Sequence, residues 1–146
     1  MSLEKFLNTR IADFAVLYAK LHRFHWYFEG SGFFPYHAKF EEMYDEASEL
    51  LDEYAERLLA IGGRPIATLK EFAEYSVLSD AGNEVKLADI GKTIIADYTL
   101  LAEETKKGIP MAQEQNDETT ADMFIESVGT FEKHVWMFKQ AIAGDN

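Results

Sequence analysis

Cysteine is absent from this 146-residue chain, which excludes disulfides and thiolate metal sites. Basic residues are few, 14 Lys and Arg against 26 Asp and Glu, leaving a formal net charge of −12. A nucleic-acid backbone is held mainly by cationic side chains that displace its counterions, so this balance opposes DNA and favours cations, beside its plain effect on solubility. No apolar run approaches the roughly 20 residues that span a bilayer. The opening Met1-Ser2-Leu3-Glu4-Lys5-Phe6 lacks the basic start and apolar stretch of a signal peptide. The expected compartment is the cytoplasm. No strand pattern, internal repeat or low-complexity tract competes with a helical reading.

What the chain does have is apolar residues at helical spacing. A hydrophobic share of 47% with 14% aromatics suits one well-packed domain, residues 1–146. Leu7, Ile11, Phe14, Tyr18, Leu21, His25 and Phe28 mark one face of a first helix from about residue 4 to Phe28, stopped by Gly30 and Gly32. A second helix starts near Pro35 and carries Phe40, Tyr44, Ala47, Leu51, Tyr54, Leu58 and Ile61 as far as Gly62-Gly63. The crossover that follows holds a short helix from Leu69 to about Tyr75, with Thr68 as cap and Glu71 in the capping-box position. A third helix shows Leu87, Ile90, Ile94, Tyr98 and Leu101 and stops near Gly108-Ile109-Pro110 or soon after. The fourth begins after Asp117 and carries Phe124, Val128, Phe131, Val135, Phe138 and Ile142. The expected fold is all-α, a ferritin-like four-helix bundle with a short helix in the long crossover between helices two and three.

Two histidines twelve residues apart, His25 and His37, flank the turn between the first two helices. Glu41 lies one turn beyond His37 on the same face, and Asp52 and Glu56 form a second i, i+4 pair further along. Imidazole plus carboxylate is the ligand chemistry of iron, manganese or zinc. Taken singly, His25 on an apolar stripe reads as a core histidine and each acid as solvated surface. A bundle-core di-iron site would need Glu-x-x-His motifs, and none is present. At about 1.5 Å per residue, Glu41 to Asp52 spans roughly 16 Å and His37 to Glu56 roughly 28 Å, beyond the reach of metal bonds near 2 Å. The halves meet if a second copy of the helix runs antiparallel. One two-fold axis between Glu46 and Ala47 brings His37 to Glu56 and Glu41 to Asp52, with Ala47 and Ser48 as small residues at the crossing. His22 is expected as a neighbour of the site rather than a ligand, and His134 has no companion ligands.

The stretch Leu21-His22-Arg23-Phe24-His25-Trp26, then Gly30, Phe33-Phe34, His37 and Phe40-Glu41, followed by Asp52-Glu53-Tyr54-Ala55-Glu56-Arg57 and Gly62-Gly63-Arg64-Pro65, resembles the Dps family of miniferritins. The likeness runs through Ala67-Thr68-Leu69-Lys70-Glu71 to Glu132-Lys133-His134-Val135-Trp136. It implies a hollow dodecamer with ferroxidase sites at two-fold interfaces. His25, His37 and Glu41 would come from one subunit, with Asp52 and Glu56 from the other. Glu41 departs from the aspartate of many relatives, which changes the carboxylate's reach and keeps the ligand type. The implied activity is binding of Fe(II) at a di-iron site, its oxidation preferably by hydrogen peroxide, and storage of ferric mineral, with zinc or manganese as competitors. Such chemistry protects against oxidative stress. Trp26 is expected either as an electron donor when oxidation stalls or as an interface aromatic. Acidic pores in the family imply an iron-entry role for Asp117, Asp122 and Glu126, although Asp117 also reads as a helix cap. DNA condensation is the runner-up; the Lys-rich tail that supports it elsewhere has no counterpart near Met1 or at Gly144-Asp145-Asn146. A purely structural helical oligomer would leave the five ligands without a purpose.

Overall fold

A computed structural model describes residues 1–144; Asp145 and Asn146, the last two positions of the expected domain, lie outside the described residues. Six helices are found among them: α1 Leu3–Tyr27, α2 Phe33–Ala60, α3 Leu69–Tyr75, α4 Leu87–Lys106, α5 Gly108–Glu114 and α6 Glu118–Ile142. They fall into two units, residues 1–86 and residues from 87 onward. None of the described helices is long and apolar enough to cross a membrane.

In the first unit α1 packs along α2. Ser2 caps α1 by accepting from the Lys5 N–H at 3.1 Å, and the apolar stripe of α1 delivers Leu7, Ile11, Phe14, Leu21, Phe24 and Phe28 to the interior. Phe14 meets Tyr54 of α2 edge to face at 4.8 Å, and Phe24 meets Phe40 at 6.0 Å. Tyr18, expected on this stripe, is instead exposed, with its ring against His22 and Tyr44. Ile61, the last expected member of the α2 stripe, is also exposed, because it lies past the helix end. Gly32 opens α2 at φ +82, a left-handed backbone that a side chain would strain. The helix starts at Phe33, two residues earlier than expected. Pro35 is then its third residue, where the missing N–H costs no intrahelical bond.

The crossover from residue 61 to 86 is strapped to α1 through its main chain. Asn8 donates to the Arg64 carbonyl and accepts from the Ile66 N–H, Glu4 accepts from the Arg64 N–H, and Lys20 and Arg23 donate to the carbonyls of Ser79 and Glu84. Buried Asp13 accepts from Arg10 at 2.7 Å, from the Ser76 hydroxyl at 2.7 Å and from the Val77 N–H at 2.8 Å. The α3 capping box forms as expected, Thr68 accepting from the Glu71 N–H while its hydroxyl donates to the Glu71 carboxylate.

In the second unit α6 packs against both α4 and α5, burying Ile90, Ile94 and Leu101 with Phe124, Phe131 and Phe138. Gly91 sits where an added Cβ would collide with Ile142, so a glycine there sets how closely α4 and α6 approach. The short α5 has no counterpart in the sequence reading, whose third helix ends near Gly108 as expected, at Lys106. Continued through Gly108, α4 would bring the Pro110 ring against the carbonyl of Lys106. The chain breaks at Lys107 and restarts, placing Pro110 third in α5, the same position that Pro35 holds in α2.

Candidate metal centre

His25 closes the last turn of α1 and His37 lies in the second turn of α2, one turn deeper than expected. Their rings stack at 3.5 Å with 15° between planes. Each Nδ1 donates to the other's main-chain carbonyl, His25 to His37 at 2.6 Å and His37 to His25 at 2.7 Å. A carbonyl oxygen only accepts, so Nδ1 must carry the proton in both rings. In the neutral form of each ring this leaves Nε2 as the lone-pair donor, the atom a metal ion would take. The bond from His37 also satisfies one of the carbonyls that α1 leaves open at its end.

Glu41 lies one helical turn beyond His37 and is exposed; its Oε1 stands 3.9 Å from the His25 Nε2. That is too long for a hydrogen bond. It falls within the roughly 4.2 Å that two metal bonds of about 2.1 Å can span. The donor set therefore fits an ion held between His25 and Glu41. Phe33 stacks on His37 at 5.1 Å and walls off one side of the pair.

Asp52 and Glu56 are exposed on α2, about 16 Å or more along the helix from Glu41. The protomer does not bring them to the histidines, and among its described residues no three His, Asp or Glu side chains converge as a metal cage. Asp52 instead borders a surface groove with Ile11, Leu51, Ala55, Ile66 and Phe72. Ala47, expected at a helix crossing, is buried within its own protomer; Ser48 is the exposed small residue there.

Tyr44 was legible only as part of an apolar stripe. Its phenol bonds to the Glu41 carboxylate, and its pKa is raised by partial desolvation, by the nearby charges of Glu41 and Asp45, and by that bond, which favours the protonated form. Its ring stacks on His22 at 3.7 Å and 16° and stands edge-on to His25 at 5.3 Å. His22 Nδ1 donates to the Tyr18 carbonyl at 2.8 Å, and its ring lies 5.3 Å from that of Trp26, which is 65% exposed. Spacings of three and four residues, Glu41 to Tyr44 and Tyr18 to His22 to Trp26, carry this cluster in the sequence.

Elsewhere, His134 is buried with its ring 4.8 Å from Tyr98, a core position. Asp117 caps α6: Oδ1 accepts from the Thr120 N–H at 3.0 Å and Oδ2 from the Thr120 hydroxyl at 2.5 Å. Asp122 and Glu126 are exposed one turn apart on α6.

Comparison with known proteins matches residues 4–145 to the ferritin-like domain. The "DNA protection during starvation protein 2" of Bacillus anthracis is 44% identical over 133 residues, 91% of either chain. Among solved structures, Dps from Staphylococcus aureus aligns with TM-score 0.93 at 40% identity, covering 96% of this chain and 94% of that one. Dps from Listeria innocua soaked in zinc aligns with TM-score 0.93 at 37% identity over 97% of each. The fold class is thus the all-α, ferritin-like four-helix bundle anticipated from the helical stripes.

Proposed function

Because this chain belongs to the Dps family of ferritin-like proteins, we propose that it binds Fe(II), oxidises it with hydrogen peroxide and stores the ferric product inside a hollow dodecamer. The observation that carries this reading is the histidine pair. Both Nδ1 atoms are engaged by carbonyls, which leaves each Nε2 as the donor that a metal would take, and the Glu41 carboxylate stands 3.9 Å from one of them. Iron is the substrate. His25, His37 and Glu41 of one subunit and Asp52 and Glu56 of a second copy complete each site, which makes the two-fold dimer the catalytic unit.

Two Fe(II) ions held by one such site give one electron each to peroxide. The O–O bond breaks, two protons are taken up and two waters leave, so no hydroxyl radical is released. Carboxylates from the second copy offset the charge that iron gains on oxidation. Asp122 and Glu126 on α6 draw Fe(II) inward by their charge. Zinc and manganese suit the same nitrogen and oxygen donors and compete for the site. Stopped-flow measurement of Fe(II) oxidation by peroxide, with and without the protein, tests the reading. Acceleration that vanishes in His37→Ala and in Glu56→Ala is the expected result; equal rates with and without protein would remove it.

The relatives are named for DNA protection during starvation, and protection by direct binding of DNA is the second reading. The net charge of −12 opposes it.

A further inference from the structure

The two imidazoles of the site are oriented by main-chain carbonyls, but Glu41 has no such anchor. Its side chain is flexible and 56% exposed, so left to itself it would sample solvent. Tyr44, one turn further along α2 on the same face, bonds to the Glu41 carboxylate through its phenol. That phenol is itself held. The Tyr44 ring stacks on His22 at 3.7 Å and 16°, and stands edge-on to His25 at 5.3 Å and to Tyr18 at 5.8 Å. His22 is fixed in turn by its Nδ1 bond to the Tyr18 carbonyl at 2.8 Å. A single hydroxyl therefore ties an exposed carboxylate of α2 to three rings of α1.

We propose that Tyr44 is the positioning residue for Glu41, holding its carboxylate toward His25 so that an arriving ion meets a ligand already in place. This rests on the metal-site reading above. Tyr44 acts through Glu41 and stays off the ion. A carboxylate has two oxygens, so one bond to the phenol leaves an oxygen for the metal. The freedom that Glu41 gives up to this bond is lost on folding rather than on binding, which tightens the site without adding a contact to the ion. His22 contributes by fixing the ring that carries the hydroxyl. Bonds of this kind to a ligand change metal affinity on the order of 10- to 100-fold.

The test titrates Co(II), a stand-in for Fe(II) whose d–d absorption reports its own ligation, into the assembled iron-free protein. Tyr44→Phe removes the hydroxyl and keeps the ring stack. It is expected to weaken Co(II) binding about tenfold, and to cost nothing further in a Glu41→Ala background, where a residue acting through Glu41 has nothing left to act on. His22→Ala keeps the phenol but removes the ring it stacks on. A smaller loss, again confined to protein that retains Glu41, is expected there, and this arm stands on its own if Tyr44→Phe does not assemble. Unchanged affinity in Tyr44→Phe, or a loss in either variant that is equal with and without Glu41, would overturn the proposal while leaving the metal-site reading intact. The Co(II) band should vanish in His37→Ala. A wild-type band indifferent to His25→Ala and His37→Ala would instead remove both.

Discussion

His25 and His37 each donate an Nδ1 proton to the other's main-chain carbonyl, at 2.6 and 2.7 Å, while their rings stack at 3.5 Å. The pair ties the ends of the α1–α2 hairpin through the chain's own carbonyls, so hydrogen bonds of the fold itself set the orientation of both rings. The entropy of positioning these two rings is lost on folding rather than on binding.

Mixed assembly tests whether the site is shared. One subunit type carries His25→Ala and His37→Ala, the other Asp52→Ala and Glu56→Ala. Each pure assembly is expected to lose fast Fe(II) oxidation. Random co-assembly in equal amounts leaves roughly a quarter of two-fold sites with every ligand, and stopped-flow rates should recover by about that share. Mixed assemblies, verified by mass, that stay inactive would place both halves outside one site.

Asp13 is the second target. Asp13→Ala strands the buried Arg10 guanidinium and should cost about 3–5 kcal/mol in urea unfolding. Burial raises the Asp13 pKa, against opposing contributions from Arg10, Ser76 and Val77. A carboxyl whose folded pKa lies above its unfolded one stabilises most below the unfolded value, near 3.8, and loses that contribution as pH rises through the folded value. Relative to Asp13→Asn, the wild type should therefore gain stability as pH falls toward 4. A wild-type advantage that instead shrinks on acidification would reverse the assignment.

The acids at the start of α6 should separate into two roles. Asp117→Ala removes a cap and both bonds to Thr120, and is expected to lower stability by about 1–2 kcal/mol. The pair Asp122→Asn and Glu126→Gln should leave the unfolding midpoint unchanged, slow iron uptake and flatten its salt dependence. Iron uptake by that pair matching wild type across low ionic strengths would put the entry route elsewhere.

Duplex DNA should show no retardation in gel shifts near neutral pH and about 0.1 M salt, where screening still leaves surface charge effective. Salt-sensitive retardation without added metal would favour the DNA-binding reading.

Helical stripes and capping signals carried most of the architecture. Thr68 with Glu71, and Asp117 ahead of α6, could be read directly because a cap depends on neighbours in sequence. The break at Lys107 was less visible, since Gly108 and Pro110 permit either a stop or a restart and only packing on α6 decides. The histidines announced themselves by type and spacing. Tyr44 did not, because an aromatic on an apolar stripe reads as core until its hydroxyl is seen bonded to Glu41. Ala47 failed for a related reason: its small size suited a crossing, but helical phase turned it inward and left Ser48 outside.

The grip of α1 on the crossover has a bearing on sequence variation. Glu4, Asn8, Lys20 and Arg23 hold Arg64, Ile66, Ser79 and Glu84 by backbone N–H and carbonyl groups, which every residue type except proline offers in full. These straps thus ask nothing of the side chains at those four crossover positions, whereas they do fix the number of residues between them. An insertion of one residue between Ile66 and Ser79 would shift the register of every strap beyond it, so the straps are indifferent to substitution at those positions and sensitive to changes in length.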